Sequence, residues 1–242
     1  MHDDASPFFI GPHRFDAPDD DVAPVLDRRH ELVPEPGERV LWRHRLHAAG
    51  YLLGPTEAWQ RWALPVPVAV TVTDRRIAYA GGGWQLAVVG GVRDTARHRH
   101  RVRTPGLVSG QIRWQWPSRL ELVPAGPDRP AELLVVCDAL RTIWQPALAL
   151  AGPADEVTEL ARQVRRSVAT FRLTRPQLVD LSPAERDVLR LRAGGGPLAG
   201  DGRITLPGSL PVEFRSRDDY YHPAGAGSGS PGPAAGAACG RR

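Results

Sequence analysis

The residues best suited to chemistry in this chain are basic, and they crowd into one stretch. Arg93-Asp94-Thr95-Ala96-Arg97-His98-Arg99-His100-Arg101-Val102-Arg103 holds five arginines and two histidines against one aspartate. Guanidinium groups at this density suit phosphates and carboxylates, since each offers a planar fork of donors and a permanent charge. At about 1 kcal/mol per cation near an anionic surface, a net +4 supplies roughly 4 kcal/mol, which is about millimolar affinity. Charge alone is therefore a weak anchor. Trp59 and Trp62 supply the apolar surface that a firmer one needs. The residues expected to bind an anionic ligand or a partner are Arg93, Arg97, His98, Arg99, His100, Arg101, Arg103, Trp59 and Trp62. The plainer reading of the same residues is a solvated loop, with the tryptophans capping the fold.

Other chemistries find little support. His98 and His100 stand two apart, and His44 and His47 three apart, but no cysteine or carboxylate spacing completes a four-ligand metal set. Gly81-Gly82-Gly83 and Gly194-Gly195-Gly196 lack the Gly-Lys-Ser/Thr ending of a phosphate loop and read as turns. There is no Gly-x-Ser-x-Gly elbow and no cysteine with an evident base. The expectation is a non-enzymatic protein with no catalytic residue, cofactor or metal; an enzyme whose site assembles only in three dimensions is the alternative.

Charge is divided unevenly along the 242 residues. Residues 1–38 carry net −7, residues 39–172 net +9 and the remainder +2, and all 31 basic residues are arginine. A basic middle behind an acidic leader points to an anionic partner or to internal masking, with Asp19 to Asp21 covering the basic run. Cys137 follows Leu133-Leu134-Val135-Val136 and reads as a small buried hydrophobe, while Cys239 lies in a Gly/Ala/Pro tail. Met1-His2-Asp3-Asp4 lacks the basic start of a signal peptide, and the charge-free stretch Ile77 to Val92 falls short of a bilayer span. A cytoplasmic protein, peripheral to the membrane at most, is expected.

The elements that must position the basic run are mainly strands. Val40, Trp42, His44 and Leu46 alternate with Leu41, Arg43 and Arg45, a strand with one buried face. Val68 to Tyr79 holds two β-branched runs joined at Thr73-Asp74-Arg75, a hairpin in which Arg76 is free to make a structural hydrogen bond or ion pair. Trp84 to Val89, Gly110 to Trp116, Arg119 to Val123 and Glu132 to Asp138 continue the series, and Thr56 to Trp62 is read as a helical turn. Pro153 to Arg172 is the strongest helix. Its stripe of Val157, Leu160, Ala161, Val164, Val168 and Phe171 must cover a sheet, and its late arginines suit the helix C-terminus. A second helix opens at Ser182-Pro183-Ala184-Glu185 with a capping box and ends at Gly194, and Arg203 to Leu206 is a small extra strand.

Pro36-Gly37-Glu38-Arg39-Val40-Leu41, followed by Val70-Thr71-Val72-Thr73-Asp74-Arg75-Arg76-Ile77, resembles the bacterial PH-like and GRAM-like domains, whose members often open with a Gly-Glu pair and carry a Thr-x-x-Arg hairpin. The resemblance covers roughly residues 36–172. It implies a mainly β fold: a barrel of about seven antiparallel strands capped by one C-terminal amphipathic helix. It also implies binding to anionic lipid heads or to protein segments. The expected organisation is a disordered acidic leader at 1–35, the PH-like unit at 36–172, an accessory segment at 173–221 containing helix 182–192, and a disordered tail at 222–242. Leu181-Ser182, Glu185, Val188-Leu189, Leu191, Ala193 and Gly195 are similar to the opening helix of LuxR-type DNA-binding domains, which gives the alternative of a DNA-associated regulator using 181–193. The chain continues Gly196-Pro197-Leu198-Ala199-Gly200-Asp201-Gly202 where a reader helix belongs, so sequence-specific nucleic-acid binding is not expected. The expected partner is a protein or an anionic membrane surface, met without a transmembrane segment.

Overall fold

A computed structural model of the chain describes residues 24–54, 59–89, 98–139, 145–195 and 202–212. Nine strands are β1 (Val40–Leu53), β2 (Trp59–Ala63), β3 (Val68–Thr73), β4 (Arg76–Val89), β5 (His98–Arg113), β6 (Pro117–Val123), β7 (Ala131–Cys137), β8 (Gln145–Gly152) and β9 (Arg203–Thr205), with helices α1 (Ala154–Thr174) and α2 (Pro183–Ala193). Every ladder is antiparallel. β1 carries the arrangement: its first half pairs with β3, and its second half lies between β8 and β2. β4 likewise meets β3 and then β2 along one side and β5 along the other. β8, β7, β6 and β9 follow in that order beyond β1.

Among the described residues no ladder joins the β5 end of this series to the β9 end, so the expected barrel is an open sheet. A short buried link, Trp114 to Trp116, turns the chain from β5 into β6. Trp114 and Trp116 are fully buried there, and the Trp114 indole donates to the Thr73 carbonyl at 2.9 Å. The Arg172 guanidinium donates to the carbonyls of Trp114, Gln115 and Pro117, and the Gln115 carbonyl also receives the Leu210 amide at 2.8 Å.

α1 lays Val157, Leu160, Ala161, Val164, Val168 and Phe171 into a core shared with Leu46, Val70, Val72, Ile77, Leu120, Leu133, Val135 and Leu150. This is the stripe read from the sequence. α2 begins as its residues dictate, the Ser182 hydroxyl and Glu185 satisfying each other's backbone amides, and Leu189 packs with Ala169, Val179 and Leu181. Ile204, Leu206 and Val212 join the main core, so residues beyond α1 belong to the same packed unit.

Four local expectations change. Trp59 and Trp62 stand on strand β2, not on a helical turn, because Leu53↔Trp59 and Trp62↔Ala87 pair that segment on both sides. Gly81-Gly82-Gly83 does not turn the chain: β4 runs through it, and Gly81 is required because a Cβ there would stand 2.2 Å from a Val68 methyl. The strand expected to run on to Trp116 stops at Arg113. Residues 24–35, expected to lack structure, form a small hairpin closed by Leu26↔Leu32 with Leu32 buried; the remainder of the leader and residues 213–242 lie outside the described residues.

Cys137 sits at the end of β7 with no exposed surface. Burial, with Asp138 beside it, pushes its thiol up to about 12. The native state therefore holds that proton where the unfolded chain has lost it, so the contribution is intact below the ordinary thiol range and is lost as pH rises toward 12. In a Cys239→Ser variant at pH 8, alkylation of Cys137 is expected to be about a thousand-fold slower than in the denatured chain, as followed by mass spectrometry.

Candidate functional site

The basic run is placed on a strand. β5 starts at His98 and pairs with β4 from Val89↔His98 through Trp84↔Arg103, then again from Gly82↔Leu107 to Arg76↔Arg113. Thr104-Pro105-Gly106 opposes the single Gly83 between these ladders, a bulge that accommodates a proline where a regular ladder would need its amide. Among the described residues β5 pairs with no other strand, so His98, Arg99, His100, Arg101 and Arg103 lie on a sheet edge. An arginine-rich edge strand discourages indiscriminate strand pairing, and among the described residues its second backbone edge has no ladder, which suits a segment of opposite charge.

The structure gathers some of the expected residues. Trp62 pairs with Ala87 and Ala87 with His100, so one tryptophan position shares a transverse row with the basic strand. Trp59 stands at the far end of β2, paired to Leu53. Arg93 and Arg97 lie outside the described residues. The loop expected to carry the whole run is therefore a strand from His98 onward, because Leu86, Ala87, Val88 and Val89 give it a ladder to extend.

Elsewhere, basic charge is already committed. Glu35 receives Arg113 at 2.5 Å and Arg75 at 3.4 Å, and stands 3.3 Å from the Arg76 guanidinium. Burial works against its charge, but Arg113, together with Arg76 and Arg75, holds its carboxyl below the ordinary range. Glu38, with no exposed side-chain surface, receives Arg76 through both oxygens at 2.9 and 2.7 Å and the Thr73 hydroxyl at 2.6 Å. Gly37 adopts φ +73° between these carboxylates, a left-handed turn that glycine makes without strain.

Two depressions were not foreseen. A groove of about 660 Å³ runs along the first turns of α1 beside Trp42 and His44. His44 Nδ1 lies 2.6 Å from Glu156, and the Trp42 ring stacks on the imidazole with centroids 3.7 Å apart, so this pair ties β1 to α1. The Thr158 hydroxyl in the same groove donates to the Ala154 carbonyl at 2.6 Å. A cleft of about 520 Å³ opens between β6, β9 and the start of α2, where Asp138 accepts from Ser118 and Gln145. Among the described residues no three His, Cys, Asp or Glu side chains converge as a metal site, and no helix is long and apolar enough to cross a membrane.

The buried Arg172 was likewise missed, although its signal was present: it stands four residues after Val168, on the apolar stripe of α1. No protein-family model, no curated protein and no solved structure matches the chain.

Proposed function

We propose that this protein is a non-enzymatic interaction module of PH-like design that captures an acidic, extended segment of a protein partner on the edge of β5. The observation that carries this reading is the position of His98 to Arg103, an arginine-rich run on a strand with a single ladder among the described residues. An open edge offers backbone hydrogen bonds to an incoming strand, and the arginines select for carboxylates. The PH-like part of the reading is supported by element order, consecutive antiparallel strands followed by a core-facing helix. It is supported too by the contact between Glu38 and the Thr73/Arg76 pair, which joins the two stretches that carry the resemblance.

A short fluorescent peptide of alternating glutamate and valine tests it. With Arg99, Arg101 and Arg103 changed to Ala, fluorescence anisotropy is expected to show about 10-fold weaker binding at low salt, from roughly 0.5 kcal/mol per exposed pair. Equal affinity of variant and wild type overturns the reading. The transverse row from Trp62 to His100 favours a second occupant, an anionic membrane surface. Co-sedimentation with phosphatidylserine vesicles that the triple variant loses, without capture of the peptide by the wild type, would select that reading.

A further inference from the structure

The pairing of the whole sheet fixes a face for each position of the basic strand. Residues directly opposite one another across a ladder share a face, and successive residues along a strand alternate between faces. One transverse row runs from Leu134 through Ala149, Ala49, Ala63 and Leu86 to Arg101. The next runs from Val135 through Leu148, Gly50, Trp62 and Ala87 to His100. Val135 and Leu148 belong to the core that α1 covers, whereas Leu134, Ala49 and Ala149 form a separate apolar cluster. Positions 99, 101 and 103 therefore fall on the face away from α1, and positions 98, 100 and 102 on the other.

The length of the edge is bounded as well. The ladder with β4 is regular from His98 to Arg103 and breaks at Thr104-Pro105-Gly106, where Pro105 has no amide to offer an added strand. All three arginines of that regular stretch, Arg99, Arg101 and Arg103, stand at alternate positions on one face. An incoming strand meets them with every second residue, and its intervening residues fall on the face where the Trp62 and Ala87 positions line up with His100. We propose that β5 selects a segment of about six residues in which carboxylates alternate with apolar side chains, the carboxylates opposite Arg99, Arg101 and Arg103. This names the ligand of the β5 edge and rests on the reading of that edge as the binding site. Three consecutive carboxylates do not meet the pattern, because a strand sends the middle one to the opposite face. Selection is thus by spacing, which long-range attraction to a basic patch does not read.

Two hexapeptides of one composition test it, Glu-Val-Glu-Val-Glu-Val and Glu-Glu-Glu-Val-Val-Val, each labelled and titrated against the full chain at low salt by fluorescence anisotropy. The alternating peptide is expected to bind about 5-fold more tightly, the worth of roughly one opposed pair of charges. N-methylation of one alternate set of its amides is expected to abolish binding and N-methylation of the other to be tolerated, since only one set points toward β5. Equal affinity of the two peptides for the wild type, with both lost in the Arg99/Arg101/Arg103→Ala chain, overturns selection by spacing and leaves the acidic reading of the edge standing. Tolerance of both methylated sets overturns the pairing along β5 on which the spacing depends. Failure of both peptides to bind the wild type overturns the edge reading together with this one.

Discussion

Replacing Glu38 by alanine is expected to destabilise the chain by about 3–5 kcal/mol, the usual consequence of leaving one member of a buried ion pair without its partner. Glu38 has no exposed side-chain surface, and Arg76 only 4 %. Removal of the carboxylate strips the Arg76 guanidinium of two hydrogen bonds and the Thr73 hydroxyl of its acceptor at 2.6 Å. Thr73 also receives the amides of Arg75 and Arg76, so the damage reaches the hairpin that joins β3 to β4. Glu35, 3.3 Å from Arg76, offers partial compensation. At a chain of this size each kcal/mol moves Tm by about 2–4 °C, giving a drop of roughly 10 °C. Urea unfolding at neutral pH checks this, through a lower midpoint at unchanged slope. The paired change Glu38→Leu with Arg76→Met is expected to recover much of the loss, because it leaves no uncompensated charge. A loss below about 1 kcal/mol for Glu38→Ala would show that Glu35 alone suffices for Arg76, and that the buried pair is not what fixes the hairpin.

The same contact shows what a sequence can disclose. Alternation in Val40 to Leu46 and in Val68 to Thr73, the stripe on α1 and the capping box of α2 are local patterns, and each appears in the structure where its periodicity places it. That Glu38 and Arg76 would meet is not local information; the two stretches had been noted for a resemblance and not for a shared ion pair. Gln145–Gly152 was missed as a strand because it is built of alanine and leucine with Pro146 near its start, residues that do not favour a sheet. β8 forms because β1 and β7 offer it ladders on both sides, so tertiary pairing overrides propensity. Gly81 to Gly83 misled in the opposite direction: glycine marks either a turn or a close approach of chains, and only the position of Val68 decides between them.

The candidate site was legible in its residues and not in its geometry. Charge density singled out Arg93 to Arg103, but a run of arginine and histidine has no apolar alternation from which a strand is read. Its strand state comes from β4, whose apolar second half was recognisable, and its edge position follows from the order of the whole sheet. Arg172 escaped for a related reason. Arginines near a helix C-terminus commonly complement the dipole, and by that pattern Arg172 is one of the late arginines of α1 and nothing more. The residue four positions after a core valine faces the core whatever its type, and the strand corner supplies what a buried guanidinium needs.

Changing Arg172 to methionine is accordingly expected to cost about 3–5 kcal/mol, even though no carboxylate contacts it among the bonds described. Its Nε donates to the Trp114 carbonyl at 3.0 Å, one terminal nitrogen to Leu206 and Pro207 at 2.8 and 2.5 Å, and the other to Pro117 and Gln115 at 2.6 and 3.4 Å. One side chain thereby fastens the turn before β6 to the segment after β9. Burial pushes its ionisation down to about 9, so the group remains cationic at neutral pH, where the carbonyl cage supplies the negative ends of five dipoles in place of a counter-ion. Methionine keeps much of the apolar stem and removes every donor, leaving buried carbonyls to lose their partner together. Lysine keeps the charge but not the fork, and is expected to recover less than half of the loss. The effect is also local: residues 203–212 are held partly through Leu206 and Pro207, so their amides are expected to exchange faster than those of β7 in the methionine variant. A uniform change across both segments would mean that Arg172 contributes only bulk to the core. Loosening confined to 203–212 and the corner would identify it as the fastening between the sheet and the chain beyond α1.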